Sequence, residues 1–456
     1  MCGIAGTFGG SQAEVEAMMR RIAHRGPDGS GIYAAGNAVH GHVRLALLDL
    51  SEASAQPFLR GATCLSFNGE IWNFQQLRKQ LEAQDQVFRT TGDTEVLAAT
   101  LQTLGLEKGA QALDGMFAFA WTDADNRSWL VRDAFGKIPL YLAKRGASYY
   151  WASERKAFPK GLQPIAVPPG HAFCLNSGQW LKWYSLPPAT ETTPLQVLQQ
   201  LRAGIKKRLT ADAPVCCLIS GGLDSSLILA LAKEVAPSVT AFTAVFQKDS
   251  EDAQSARRLC SDLQVPLVEV PVVCSPESIA KAICSIEIAS KAQIEIAVLC
   301  LPLAAAIAER GFKACLSGEA ADELFGGYGN FCIKAASATE AQIKQLRLDS
   351  LAKMSRGNFV RCNKAFMAAG VECRLPFMEQ ALVESVIQLG KQQSPPGKVL
   401  LKQASEGVLP RWIVKRNKDT FQGGSGISEA VSRQIANPIK FYNTELKKQY
   451  GYLPKD

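Results

Sequence analysis

A chain of 456 residues is too long for one ordinary hydrophobic core and predicts two or three domains. With 47% apolar and 20% charged residues it falls among globular chains, not disordered or fibrous ones. No apolar run reaches the ~18 residues of a bilayer span, the N-terminus lacks the charged-then-apolar order of a secretory signal, and the net charge of +8 comes without a long basic block, so anionic small molecules are expected as ligands and nucleic acid is not.

In chain order, short strand-like runs at 38–50, 63–67, 117–121, 129–131 and 149–152 alternate with helical patterns at 13–22, 74–81 and 94–104, which predicts a sheet-rich α+β unit. A turn-rich stretch poor in large apolar residues follows at 185–194. Beyond it the pattern changes. An apolar strand at 215–219 leads through a glycine turn into a helix from Ser226. Strand 239–246, helix 253–263 and strand 267–270 come next, then a long apolar helix at 294–308 with a kink expected at Pro302, and strand 313–316. Apolar strands alternating with helices predict a parallel, doubly wound sheet. From about residue 338 the chain reads as mostly helical. The division expected is 1–190 and 191–456.

The 13 cysteines include no C-x-x-C pair, and only four histidines are present, so a structural zinc site is not expected. Reduced thiols fit a cytoplasmic protein.

Two stretches carry chemistry. Removal of Met1 from Met1-Cys2-Gly3 exposes a thiol and an α-amine on one residue, and an amine of pKa ~8 can act as base for its own side chain. That is the chemistry of an N-terminal nucleophile hydrolase. The second stretch, Ser220-Gly221-Gly222-Leu223-Asp224-Ser225-Ser226, joins a strand to a helix. Its glycines let backbone N–H groups face an anion, its serines add hydroxyls, and the helix start adds a positive dipole end. Asp224 repels a phosphate directly and suits a Mg²⁺ held between carboxylate and phosphates. No lysine follows in P-loop order.

This heptapeptide is similar to the pyrophosphate loop of ATP pyrophosphatases, and with the Cys2 start the chain resembles the glutamine-hydrolysing asparagine synthetase family over nearly its whole length. The resemblance implies an α+β N-terminal nucleophile (Ntn) hydrolase sandwich followed by an α/β doubly wound parallel-sheet ATP-pyrophosphatase domain with a helical C-terminal part. Its His24-Arg25-Gly26-Pro27-Asp28 loop matches. By the match, Cys2 is the nucleophile, Arg44 takes the glutamine α-carboxylate, Asn68 and Gly69 form the oxyanion hole, and Glu70 and Asp93 complete the glutamine site. Ser317-Gly318-Glu319-Ala320-Ala321-Asp322-Glu323 matches the family S-G-E-x-x-D-E. It implies an ATP site built from Ser220, Gly221, Gly222, Asp224, Ser225, Ser226, Ser317 and Gly318. Asp224 and Asp322 are the implied Mg²⁺ ligands, Glu319 the general base, and Lys418 the cation that neutralises phosphate charge. Arg132-Asp133 and Glu372-Cys373-Arg374-Leu375-Pro376-Phe377 match as architecture.

The implied activity is ATP-driven transfer of glutamine nitrogen to a carboxylate through an acyl-adenylate, with aspartate as acceptor. The wall expected for that acceptor departs from the family pattern at Ala289, Ser290 and Glu295, where a tyrosine, an aspartate and a basic or polar residue are usual. An acceptor on a sugar, peptide or nucleic-acid base therefore stays open, as does a homodimer. A non-catalytic homologue is disfavoured because every reactive position is filled.

Overall fold

The computed structural model describes residues 1–188, 191–416, 426–435, 437–451 and 453. Its first part has twelve strands: β1 (Gly3–Phe8), β2 (Gly29–Ala35), β3 (Ala38–Arg44), β4 (Phe58–Arg60), β5 (Thr63–Ile71), β6 (Gly115–Thr122), β7 (Ser128–Arg132), β8 (Tyr141–Arg145), β9 (Ser148–Ala152), β10 (Ile165–Ala166), β11 (His171–Cys174) and β12 (Gln179–Lys182). They form two six-stranded sheets, ordered β10-β8-β9-β1-β3-β2 and β12-β11-β7-β6-β5-β4. The sheets meet where β1 and β3 touch β5; helix Gln12–Arg21 packs outside the first sheet and helix Asp93–Leu104 outside the second. Burial on both faces explains why β6 is buried throughout and reads as a continuous apolar run, while edge strand β2 is largely exposed.

The second part holds a five-stranded sheet of β13 (Val215–Leu218), β14 (Ala241–Val245), β15 (Leu267–Pro271), β16 (Ala314–Leu316) and β17 (Glu372–Arg374), in the order β15-β14-β13-β16-β17. All its pairings are parallel. The chain winds outward from β13 through β14 to β15, then returns to add β16 on β13's other side. The switch point thus lies between β13 and β16, where open α/β sheets bind ligands at their C-terminal edge.

Several expectations need correction. The 38–50 run is a strand only to Arg44, after which the chain turns away. The stretch after 338 is mostly helical, as expected, but it also holds β17, an edge strand of the parallel sheet that was not anticipated. Helices Pro194–Leu209 and Pro276–Ile286 were not anticipated, although each opens with proline after a capping Thr193 or Ser275. Pro302 lies inside helix Lys291–Glu309, which continues through it. That helix is long and apolar enough by length and composition to cross a membrane; here Ile294, Val298, Ala304 and Ile307 are buried in the core.

Buried charge joins the two parts. Lys364, on helix Asn358–Met367, meets Glu287, and both side chains are fully buried. Glu287 also accepts from the Arg155 and Lys156 backbone N–H groups at 2.9 and 2.8 Å and from the Tyr450 hydroxyl at 2.8 Å. Lys364 additionally donates to the Tyr141 hydroxyl at 3.0 Å. Removing one member of such a pair strands the other in a low dielectric at a cost of about 3–5 kcal/mol. Lys364→Met is expected to lower unfolding free energy by that amount in denaturant titrations, and Glu287→Gln in the same chain to restore part of it. A loss under about 1 kcal/mol would show that the amide and hydroxyl donors suffice for Glu287 without the ammonium.

Candidate active sites

The first site forms around the start of β1. Its register sets Gly3 opposite Val43, which brings Cys2 beside the end of β3. Leu45 N–H lies 3.4 Å from Cys2 Sγ. The Cys2 backbone N–H donates to Asn68 Oδ1 at 3.0 Å, and Asn68 Nδ2 donates to Ser153 Oγ at 3.3 Å. Arg25, fully buried, donates to the Cys2 carbonyl at 3.0 Å, to Glu154 at 2.7 Å and to Asn363 Oδ1 at 2.9 Å. Burial pushes the Cys2 thiol upward against the lowering effect of the Met1 ammonium.

Gly69, on β5 beside Asn68, has φ +147, and a Cβ there would stand 2.0 Å from the Met116 carbonyl oxygen, so only glycine fits. Arg44 closes β3 with its guanidinium planted on the carbonyls of Ser51 and Asp49 at 2.9 and 2.6 Å. Asp93 begins helix Asp93–Leu104 and accepts from Ile71 N–H at 2.9 Å. Burial raises its carboxyl to about 6. Glu70 is pushed well above the usual range by burial and by the neighbouring Glu372 and Asp93, and its Oε2 has no hydrogen-bond partner among the described residues. The six residues anticipated here, Cys2, Arg44, Asn68, Gly69, Glu70 and Asp93, therefore share one region.

Two further residues complete it. The Met1 ammonium pairs with Glu372 at 2.5 Å, both fully buried, and Met1 Sδ accepts from Asn363 Nδ2 at 2.9 Å. Arg374, two positions along β17, pairs with Glu372 at 2.6 Å and approaches Glu70 at 3.6 Å. The Glu-x-Arg spacing, read as architecture, is a strand signal that sets both charges on one face.

The second site lies at the C-terminal edge of the parallel sheet. After β13, Ser220 Oγ and Ser225 Oγ sit 3.1 Å apart and Ser226 N–H donates to Gly222 O at 3.1 Å as helix Leu223–Val235 begins. After β16, Ser317 Oγ accepts from Glu319 N–H at 3.3 Å. A Cβ on Gly318 would stand 2.8 Å from Ser225 N and 3.0 Å from Asp224 C, so glycine is what lets the two loops touch. Asp224 and Asp322 converge on a single cation, the Lys398 ammonium, each at 2.7 Å. Asp224 Oδ1 has no hydrogen-bond partner among the described residues. Two carboxylates already sharing one cation, with an oxygen to spare, fit a hard divalent ion such as Mg²⁺. Ala320, between the loops' reactive residues, holds φ +83, a strained value for a residue with a Cβ.

Glu319 is tied by Arg361, which pairs with it, and by Asn358 Nδ2 at 3.3 Å. Gln293 links the two, accepting from Arg361 and donating to Asn358 at 2.9 Å each. Burial and the adjacent Glu319 raise Glu323 to about 7; the Tyr328 hydroxyl donates to it at 2.7 Å. Arg416 reaches back to the first loop, donating to Gly221 O at 2.7 Å and Asp252 at 2.9 Å. Lys418 lies outside the described residues. Lys398, Arg361, Gln293 and Arg416 were not anticipated. Lys398 follows Pro-Pro-Gly in a turn, and nothing local marks its partner.

Ala289, Ser290 and Glu295, expected along the acceptor wall, lie just before and within the start of helix Lys291–Glu309. Gln293, not Glu295, stands next to the Glu319 network. Glu295, two residues on, faces another side of the helix, with Ser428 at 3.2 Å and Lys291 at 3.6 Å. Ala289 is exposed, and Ser290 caps the helix without a side-chain bond.

Residues 1–173 match the family model described as a glutamine amidotransferase domain, and residues 196–342 and 330–439 match asparagine synthase. Asparagine synthetase B [glutamine-hydrolyzing] of Escherichia coli (strain K12) is 32% identical over 511 residues, covering 100% of this chain and 90% of that protein. Asparagine synthetase [glutamine-hydrolyzing] 1 of Arabidopsis thaliana is 31% identical over 447 residues, covering 92% and 74%. Among solved structures, a glutamine phosphoribosylpyrophosphate amidotransferase from B. subtilis overlaps 60% of this chain and 82% of its own at 19% identity and a TM-score of 0.38, too distant to add to the fold described above. With an Ntn-type sandwich before a doubly wound parallel sheet, and both family domains matched in order, the chain belongs to the glutamine-hydrolysing asparagine synthetase family, enzymes of glutamine-dependent, ATP-driven amidation.

Proposed function

We propose that a glutaminase unit at 1–190 releases nitrogen from glutamine at Cys2, and that a synthetase unit at 191–456 transfers it to a carboxylate activated as an acyl-adenylate, with aspartate as the acceptor. The observation that carries this reading is helix Asn358–Met367: its Arg361 holds Glu319 in the second site, while its Asn363 meets Arg25, which donates to the Cys2 carbonyl in the first.

In the first half-reaction Met1 is removed, so the Cys2 nitrogen that now sits 3.0 Å from Asn68 Oδ1 becomes a free amine. That amine takes the thiol proton, the thiolate attacks the side-chain carbonyl of glutamine, and the C–N bond breaks to give a thioester and ammonia. Water then frees glutamate. Asn68 and the Gly69 N–H stabilise the oxyanion. Arg44 is the α-carboxylate clamp, since its fork is already fixed by two carbonyls. Asp93 and Glu70 face the α-ammonium.

In the second half-reaction the acceptor carboxylate attacks the α-phosphorus of ATP, and pyrophosphate leaves. Ser220, Gly221, Gly222, Ser225, Ser226, Ser317 and Gly318 cradle the phosphates. Asp224 and Asp322 would hold Mg²⁺, which supplies charge neutralisation there. Glu319, oriented by Arg361 and Asn358, takes a proton from the attacking nitrogen as AMP leaves and the amide forms. Lys418, just past Arg416, neutralises phosphate charge. Activation is required because a carboxylate is a poor electrophile, and shielding the adenylate prevents its hydrolysis.

A second reading, another carboxylate as acceptor, is favoured by one observation. Arg361, beside Glu319, already has its charge paired with that carboxylate, whereas the carbonyls that hold Arg44 are neutral.

Three outcomes are expected. Cys2→Ala lowers glutamate release at least about 10³-fold yet leaves amide formation from ammonium chloride in place; glutamine-driven synthesis surviving that change would falsify the nucleophile assignment. Because Asp93 must be ionised to hold an ammonium and its carboxyl is raised to about 6, the KM for glutamine should climb as pH falls through that value. Asp93→Asn should raise KM about 10- to 100-fold and flatten that limb; an unchanged pH profile removes Asp93 from the site. Pyrophosphate release from ATP and glutamine should rise on adding aspartate, and a flat response with glutaminase activity intact selects the second reading.

A further inference from the structure

The loop after β3 takes its shape at Asp49. This residue holds φ +48, left-handed backbone that few residues with a Cβ adopt and aspartate is one of them. Its Oδ1 accepts from the Ser51 N–H at 3.1 Å and from the Ser51 hydroxyl at 2.5 Å, closing a turn. Its Oδ2 accepts from the Thr91 N–H at 2.7 Å. Burial works to raise this carboxyl, but the Ser51 and Thr91 donors hold it well below the usual range. Both ends of the carboxylate therefore bear on the first site. The carbonyls that fix the Arg44 guanidinium belong to Asp49 and Ser51, the two residues of that turn. Thr91 leads through Gly92 into Asp93, and a Cβ on Gly92 would stand 3.3 Å from the Asp49 Cβ.

The backbone N–H of Asp49 turns to the other half of the chain and donates to Asp212 Oδ2 at 2.8 Å. Asp212 N–H donates back to the Leu47 carbonyl at 2.9 Å. Asp212 lies in the turn between helix Pro194–Leu209 and β13. Arg374 fixes the start of that turn by donating to the Arg208 and Thr210 carbonyls at 2.6 and 3.0 Å. Lys313 moors the same loop at a second point: it pairs with Asp28 at 2.7 Å, and Asp28 accepts from Ala46 N–H at 2.8 Å.

We propose that Asp212, from the synthetase half, is a positioning residue for glutamine: by holding Asp49 it sets Arg44 and Asp93, the groups that take the α-carboxylate and the α-ammonium. The inference rests on the glutaminase reading given above. Asp212 touches no reacting atom. Its effect falls on affinity, because the nucleophile is held separately, by Asn68 at the Cys2 nitrogen and by Arg25 at the Cys2 carbonyl. Asp212 is exposed, so its replacement removes little packing.

The test is glutamate release against glutamine concentration in processed full-length enzyme, which needs no acceptor. A damaged fold lowers the active fraction and therefore kcat, whereas a misplaced clamp raises KM. Asp212→Ala leaves the Asp49 N–H without its acceptor and is expected to raise KM about tenfold while kcat stays within about twofold. Asp212→Asn keeps an oxygen for that N–H and should hold KM within about threefold of the unsubstituted enzyme. An unchanged KM in Asp212→Ala overturns the proposal, whether or not kcat falls. An Asp212→Asn variant as weak as the alanine one also overturns it, by removing the hydrogen bond from the account. Glutamate release that persists in Cys2→Ala would instead refute the underlying glutaminase reading.

Discussion

Ionised groups that leave water must find partners, and in this protein many of those partners lie on the opposite half of the chain. Arg25 needs Asn363; Glu287 takes the backbone N–H groups of Arg155 and Lys156 while pairing with Lys364; Lys207 bridges Asp114 and Glu379. Arg132 donates to the Ser355 carbonyl at 3.1 Å. Apolar faces can slide against each other at little cost, but a buried guanidinium or carboxylate tolerates one register. The mutual orientation of sandwich and parallel sheet is therefore an electrostatic specification laid over hydrophobic packing, and the relative placement of the reactive residues follows from it.

That specification explains the division of labour between two elements. Helix Asn358–Met367 sends Arg361 to Glu319, Asn363 to Arg25 and Lys364 to Glu287 within two turns. Strand β17 places Glu372 against the chain start and gives the Arg374 carbonyl to Ser317. Neither element carries a motif that declares chemistry, yet both reactive centres take their alignment from them. The two elements thus form a contiguous, charge-paired connection between the two candidate centres.

Much of the site was legible because its chemistry is local in sequence. Ser220 to Ser226 and Ser317 to Asp322 each follow a strand, and the loops meet because Gly318 lets them. Asn68 and Gly69 are adjacent, and the positive φ of Gly69 admits no other residue. What could not be read were partners set by folding alone. Lys398 meets Asp224 and Asp322 from far along the chain. Glu295, expected along the acceptor wall, faces Ser428, while Gln293 joins the Glu319 network. Strand β17 was hidden because Glu372 and Arg374 are charged, whereas buried strands are usually recognised by apolar runs; the two are buried as a pair, with the Met1 ammonium also on Glu372.

The sealing of Met1 also has a bearing on biosynthesis. In the finished fold no aminopeptidase can reach a residue that is 2% exposed and clasped by Glu372. If maturation is to occur, it must happen while the strand bearing Glu372 is still unmade or undocked. At translation speeds of about 5–20 residues per second, that leaves roughly 20–75 seconds from the emergence of the first codons. The order in which the chain is made and folded then bears on maturation alongside affinity for a processing enzyme.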